Sequence, residues 1–238
     1  MSELARQFDT ESALIADLLA TRPLLSALNF HNTPARRRDE LDRQLAHVAR
    51  HYTPVDEDDL DAWLATGKWH KPKPGMVLAF YEGYRNGHDV IRPLLEKHGL
   101  IGWFFVITGF IDAPVAKQLD YALAHGIEME TREYAGDGRY ALSWDEIRAL
   151  DETHVVASHA RSHRPIAPMT ATERRAEVVG SQERLTGMLG HAVRTFVSWG
   201  GPAYGDDRAV DRLVDEAGYQ FQFSNFRIQR LRAGPPSN

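Results

Sequence analysis

Hydrophobic positions recur along the chain in two patterns: short uninterrupted runs, and positions spaced three or four residues apart. The runs predict buried strands and the spaced positions predict amphipathic helices. The predicted strands are residues 24–30, 76–80, 100–108, 154–158, 193–198 and 219–224. The predicted helices are residues 36–51, 56–64, 89–98, 144–150, 172–189 and 206–217, with a further short one near residues 14–19. Strands alternate with helices from residue 76 onward, which predicts parallel βαβ units.

Local signals set some of the predicted boundaries. Asp56 is suited to cap one helix, and Ser143 with Glu146 three residues later forms a capping-box pattern before another. Gly218 is expected to end the helix that precedes it. The chain is therefore divided into an N-terminal helical extension, residues 1–23, and one α/β domain, residues 24–238.

Composition narrows the class of protein. The 238 residues carry 28 Lys and Arg against 33 Asp and Glu, a net charge of −5. The chain therefore lacks the excess of positive charge that nucleic-acid-binding proteins have. The absence of cysteine excludes disulfides and thiolate metal sites. The N-terminal residues do not resemble a signal peptide, and no apolar run reaches the length of a membrane span. We therefore expect a cytoplasmic protein without a membrane partner, and a homo-oligomer remains open.

Polar clusters follow three of the predicted strands. Residues 81–84 (YEGY) follow the first, residues 159–163 (HARSH) the second and residues 199–205 (WGGPAYG) the third. If the strands are parallel, all three clusters lie at the same edge of the sheet, where α/β folds place their chemistry.

The first two clusters contain a candidate metal-ligand set. His159 and His163 are four residues apart, so one helical turn would place both imidazoles on the same side. Together with the Glu82 carboxylate they form a set that a divalent ion accepts, zinc first, with positions left open for water. The alternative is that the two histidines are surface residues of a junction between a loop and a helix.

The third cluster is rich in glycine, which lets the backbone approach a ligand closely. Backbone N–H groups around Tyr204 are a candidate oxyanion site. The alternative is a simple turn that starts the helix at Asp206.

In order along the chain, these segments resemble the polysaccharide deacetylase (NodB-homology) family, carbohydrate esterase family four. Residues 79–87 (AFYEGYRNG) stand where the family has T-F-D-D-G-Y, and residues 158–163 (SHARSH) stand where it has H-[ST]-x-x-H. Residues 196–205 resemble F-x-x-P-Y-G with an insertion, and residues 28–31 (LNFH) resemble the Y-H-x-V strand of one branch. The likeness covers residues 24–231.

The resemblance implies a distorted or incomplete (β/α) barrel and a hydrolase of a carbon–nitrogen bond other than a peptide bond. The reaction implied is metal-dependent removal of an acetyl group from an N-acetylated sugar. Carried over by position, the metal ligands are Glu82, His159 and His163. Glu82 replaces an Asp, which keeps the negative charge and lengthens the side chain by one methylene.

The sequence also departs from the family. The family's general base, an Asp, corresponds to Tyr81, whose phenol has a reference pKa near 10 and cannot easily accept a proton at neutral pH. Tyr81 could still donate a hydrogen bond or help bind an oxyanion, so Tyr81 and Tyr204 are the candidate catalytic residues. The Arg that orients the base falls near Gly201, and the late Leu-x-x-His motif has no counterpart. We therefore expect weakened activity.

The sequence offers substitutes for the family's late histidine and alternatives to the deacetylase function. His31 or His88 could replace the missing histidine, although surface or packing roles also explain both. Candidate substrate contacts are Tyr84, Trp199 and Pro202, whereas Trp103 belongs to the core. Residues 80–83 (FYEG) also partly resemble the Y-E-E-G of allantoinase-like and cyclic-imide-hydrolysing relatives, which act on small amides. A homologue that binds without catalysis is the remaining alternative.

Overall fold

The computed structural model describes residues 25–134 and 136–232, so the predicted N-terminal helix lies outside the described residues. The strands in the described residues are β1 Leu25–Phe30, β2 Thr53–Pro54, β3 Gly75–Phe80, β4 Gly102–Val106, β5 Val155–Ser158, β6 Thr195–Phe196, β7 Phe221–Phe223 and β8 Ile228–Arg230. They form one sheet in the order β1-β3-β4-β5-β6-β7-β8, and β2 pairs with β3. All pairs are parallel except β7 with β8, which confirms the predicted parallel sheet.

Within residues 25–134 and 136–232, eight α-helices connect and cover these strands. They are α1 Arg38–His51, α2 Glu57–Thr66, α3 Arg92–His98, α4 Thr108–Asp112, α5 Gln118–Ala124, α6 Trp144–Asp151, α7 Ala171–Leu189 and α8 Arg208–Ala217. The predicted caps are confirmed, because Asp56 and Ser143 each form a capping box with the residue three positions later. Gly218, in the left-handed conformation, ends α8 as expected. None of the helices in the described segments combines the length and apolar character that crossing a bilayer requires.

The core has two layers because successive strand residues point to opposite faces. On β3, Met76, Leu78 and Phe80 pack in the larger cluster, which also contains residues of the covering helices. Val77 and Ala79 belong to a second cluster with Trp103, Phe105, Phe221 and others. Trp103 is fully buried and its Nε1–H donates to the Val55 carbonyl at 2.7 Å, which confirms the prediction that it belongs to the core.

Several predicted boundaries were wrong where the backbone turns toward the carboxyl edge of the sheet. The strand predicted over residues 100–108 ends at Val106, because the amides of Thr108 and Gly109 donate to the carbonyls of Ala160 and Arg161 and the chain enters α4. The strand predicted over 193–198 is confined to Thr195–Phe196. The helix predicted over 89–98 begins as a π-helical segment, Gly87–Ile91, before α3. Helix α5 and strand β8 were not predicted at all.

Candidate metal centre

The carboxyl edge of the sheet contains a cavity of about 410 Å³. The segments that follow β3, β5 and β6 supply most of its walls, as the parallel arrangement of these strands predicts. Its lining includes His31, Tyr81, Glu82, Tyr84, His159, His163 and Trp199.

The three predicted metal ligands meet in this cavity. The Oε1 atom of Glu82 lies 4.0 Å from Nε2 of His159 and 3.8 Å from Nε2 of His163. One ligand atom from each residue lies within 4.8 Å of the others, which is close enough for one ion to contact all three. Glu82 and His159 are buried, at 2% and 4% exposure.

The histidines meet by a route that differs from the predicted helical turn. Residues 160–163 form an irregular turn in which Ala160 and His163 have positive φ, 57° and 51°. Glu82 also has a positive φ of 71°. Such left-handed conformations are unusual for residues other than glycine and are concentrated at functional sites.

Hydrogen bonds at Nδ1 orient both imidazoles. Nδ1 of His159 lies 3.3 Å from the Val197 carbonyl, and Nδ1 of His163 lies 2.9 Å from the His125 carbonyl. A carbonyl only accepts, so each Nδ1 carries the proton and each Nε2 presents a lone pair toward Glu82. Burial lowers the pKa of His159 to about 3, with His163 adding to the shift, so this ring is neutral at physiological pH.

These residues fit a divalent cation. Two imidazole nitrogens and a carboxylate are suitable zinc ligands, and the bonds at Nδ1 are the orienting contacts that metal-binding histidines make. The Oε2 atom of Glu82 is buried without a hydrogen-bond partner among the described residues. A buried carboxylate oxygen without a partner is costly, and a cation would compensate that cost.

His31 is a further residue at this centre. Its Nδ1 lies 2.9 Å from Oε1 of Glu82, and the side chain is 63% exposed. The hydrogen bond to Glu82 raises the pKa of His31 above its usual value, against the opposing effect of partial burial. The resemblance of residues 28–31 to a family strand was the sequence signal for this position. His88, the other candidate substitute, instead contacts Asp89 and is absent from the cavity lining.

Tyr81 lies beside the predicted metal ligands. Its ring meets the ring of His159 edge-on, with centroids 5.4 Å apart, and stacks on His31 at 5.2 Å. Burial, and secondarily the charge of Glu82, raises the pKa of Tyr81 well above 10. The hydroxyl is therefore protonated at neutral pH, where it can donate a hydrogen bond but not act as a base.

The remaining predicted site residues lie in different places. Tyr84 lines the cavity but is 5% exposed, and its hydroxyl donates to the Glu128 carbonyl at 2.7 Å. Trp199 is 43% exposed and lines both this cavity and an adjacent one of about 570 Å³. Pro202 lines only the adjacent one.

The predicted oxyanion site around Tyr204 is not supported by the geometry. The Tyr204 amide donates to the Gln229 side chain at 2.9 Å, and its hydroxyl donates to Asp215. The Gly205 amide donates to Asp211. These donors are already used, and Tyr204 does not line the metal cavity. The structure thus corrects the assignment of Tyr204, because the turn is held by contacts with α8 and β8.

Comparison with known proteins identifies the family. The sequence profile of the polysaccharide deacetylases matches residues 68–221, more than half of the chain. The chain belongs to the polysaccharide deacetylase family. This confirms the resemblance seen in the sequence, and family membership makes the protein a hydrolase of carbon–nitrogen bonds other than peptide bonds.

Solved structures of known deacetylases share the fold of this chain. IcaB from Ammonifex degensii superposes with a TM-score of 0.65 at 20% identity, covering 85% of this chain and 84% of its own. A de-N-acetylase from Aggregatibacter actinomycetemcomitans gives 0.64 at 16% identity, with 89% and 91% covered. The Streptococcus pyogenes deacetylase PplD, in complex with acetate, gives 0.62 at 13% identity, with 82% and 80% covered. They confirm the predicted incomplete (β/α) barrel, while no curated protein sequence matches this one significantly.

Proposed function

We propose that this polysaccharide deacetylase is a metal-dependent enzyme that removes an acetyl group from an N-acetylated sugar. Glu82, His159 and His163 hold the divalent cation, with zinc the first candidate. The observation that carries the proposal is the convergence of their ligand atoms within 4.8 Å, with both Nε2 lone pairs facing a buried carboxylate.

A cation at this site would polarise the acetyl carbonyl and lower the pKa of a water molecule. The chain's own residues supply the rest of the chemistry. His31, exposed and with a raised pKa, is placed to hold a proton for the leaving amine. Tyr81 lines the same cavity, and its hydroxyl, protonated at neutral pH, would donate a hydrogen bond to the developing oxyanion. Trp199 offers an exposed indole face for a sugar ring.

The proposal includes reduced activity relative to family members that have a carboxylate at position 81. Tyr81 cannot act as that base, because its pKa is raised rather than lowered. Loss of a general base commonly costs about 10²–10⁴-fold in rate. We therefore expect slow turnover of a standard N-acetylglucosamine oligomer.

The test combines metal analysis with an acetate-release assay. Untagged protein, incubated with zinc and desalted, is analysed by plasma mass spectrometry beside His159→Ala/His163→Ala. The matched control is His47→Ala/His51→Ala, an exposed histidine pair with the same spacing on α1. The proposal predicts one zinc per chain in the wild type and the control, none in the site variant, and acetate release that follows the metal.

The other outcomes separate the alternatives. Bound zinc with no acetate release but hydrolysis of a cyclic imide or allantoin would favour a small-amide hydrolase. Bound zinc with neither activity would favour a binding homologue. If the wild type binds no zinc, the metal-dependent proposal is wrong.

A further inference from the structure

A buried carboxylate lies beneath the turn that connects the two metal-binding histidines. Glu177, on α7, is 4% exposed. Its Oε2 accepts hydrogen bonds from the amides of Arg161 and Ser162, at 3.1 and 2.8 Å. Its Oε1 accepts a third from the Ser162 hydroxyl at 2.5 Å. One side chain thus accepts three hydrogen bonds from a turn of four residues.

We propose that Glu177 is a positioning residue for the metal centre: its carboxylate holds residues 160–163 in the one conformation that presents both histidines to Glu82. The inference rests on the proposed function, because it assumes that these histidines bind the cation. The hydrogen bonds of Glu177 go to Arg161 and Ser162 and not to the three ligand side chains, so it acts through the segment between two of them.

The turn needs external support because its backbone is unfavourable on its own. Ala160 and His163 both adopt left-handed conformations, which L-residues avoid. The amides of Arg161 and Ser162 lie outside the strand ladder, since β5 ends at Ser158, and a buried amide without an acceptor is costly. Glu177 supplies an acceptor for both amides, so the strained conformation becomes the stable one.

The opposite side of the turn is held by a different element. The amides of Thr108 and Gly109, at the start of α4, donate to the carbonyls of Ala160 and Arg161 at 3.3 and 2.9 Å. A Cβ on Gly109 would lie 2.5 Å from the Arg161 carbonyl oxygen, so the two segments are in close contact. The turn is therefore held between α4, which binds its carbonyls, and Glu177, which binds its amides.

The chemistry of the contact predicts which substitution preserves it. In Glu177→Gln the side-chain oxygen can still accept from both amides, and the NH₂ group can donate to the Ser162 hydroxyl, which also accepts. In Glu177→Ala all three bonds are lost. The matched control is Gln182→Ala, which removes another buried polar side chain from the same helix, one that binds the Val193 carbonyl rather than the turn.

The experiment measures zinc affinity by competition with a chromophoric chelator, together with the visible absorption of the Co²⁺-loaded proteins. Loss of a contact that orients metal ligands typically costs about 10–100-fold in affinity. We expect a loss of that size and an altered Co²⁺ spectrum in Glu177→Ala. We expect recovery of most of the affinity in Glu177→Gln, and wild-type affinity in Gln182→Ala. Amide hydrogen exchange of Arg161 and Ser162, measured in metal-free protein, should accelerate only in Glu177→Ala.

The measurements distinguish failure of the positioning role of Glu177 from failure of the proposed function. Wild-type zinc affinity in Glu177→Ala, or an equal loss in Gln182→Ala, would overturn the positioning role while leaving the metal centre intact. A wild-type protein that binds no zinc would overturn the proposed function. In that case unchanged exchange at Arg161 and Ser162 in Glu177→Ala would also show that Glu177 does not hold the turn.

Discussion

The ring of Tyr81 stacks on the ring of Phe105, with centroids 4.8 Å apart and planes 10° apart. Phe105 is fully buried, so this contact joins the wall of the cavity directly to the hydrophobic core. Tyr81 therefore has a packing role that the family's Asp at this position does not have. The residue lines the candidate metal cavity, and burial keeps its hydroxyl protonated by raising its pKa.

The first prediction separates the packing role of Tyr81 from its hydroxyl. Tyr81→Phe keeps the stacked ring and removes only the hydrogen-bond donor. If that donor stabilises an oxyanion, kcat should fall about 10²–10³-fold with zinc content unchanged. The measurement is steady-state acetate release. Equal kcat in the variant and the wild type would show that only the ring matters.

The second prediction restores a carboxylate at the same position. An Asp has a reference pKa near 4 and is ionised at neutral pH, so it can accept a proton from water. Relative to Tyr81→Phe, which also lacks the hydroxyl, Tyr81→Asp should therefore raise kcat/KM by up to about 10²–10⁴-fold. It should also lower the thermal midpoint, because the stacking on Phe105 is lost. Unchanged kcat/KM in folded, zinc-loaded Tyr81→Asp would contradict the view that the missing base limits the rate.

The sequence predicted most of the sheet and the convergence of Glu82, His159 and His163 because both depend on local signals. Buried parallel strands are continuous apolar runs, and β3 is buried at every position. Glu82 is the second residue after β3 and His159 is the first after β5, so the parallel order alone brings them to one edge. The assignment of the ligands did not require the conformation of the turn between the histidines, and the helical turn expected there was wrong.

Long-range contacts explain what the sequence could not predict. The carbonyls that orient His159 and His163 belong to Val197 and His125, which are each 38 residues away. Any residue can supply a carbonyl, so no sequence pattern marks these partners. Glu177 is likewise one of many acidic residues on a helix until the fold places it beneath the turn. The prediction of an oxyanion site around Tyr204 was wrong for the same reason. The Tyr204 amide donates a hydrogen bond to the side chain of Gln229, which lies 25 residues later in the chain.

The third prediction concerns substrate contact at Trp199. This side chain is 43% exposed at the border between the metal cavity and the adjacent one. If it stacks on a sugar ring, Trp199→Ala should raise KM for an N-acetylglucosamine oligomer about tenfold, as the loss of about 1.4 kcal/mol of binding would do. Zinc content should not change. Leu123→Ala, at another exposed apolar residue that does not line the cavity, is the control. A similar KM in both variants would exclude Trp199 as a substrate contact.

The last prediction concerns pH and a carboxyl outside the metal cavity. Glu57, at the start of α2, accepts a hydrogen bond from the Thr195 hydroxyl, and burial raises its pKa to about 7. A raised acid pKa means that the folded state binds the proton more tightly than the unfolded state. The stability that this provides is complete below about pH 4.5, the ordinary value, and is lost as the pH rises through about 7.

Glu57→Gln tests this dependence because the amide is neutral at every pH and its oxygen can still accept from Thr195. Between pH 5 and 8 the free energy of unfolding of the wild type should fall relative to the variant by about 2 kcal/mol. This value allows for the helix N-terminus, which favours the charged form. Urea unfolding at both pH values measures the difference between the proteins, so groups that titrate identically in both cancel. Parallel pH dependence in the two proteins would show that Glu57 is ionised in the folded state, with Arg194, whose Nε lies 3.7 Å from Oε2, compensating its charge.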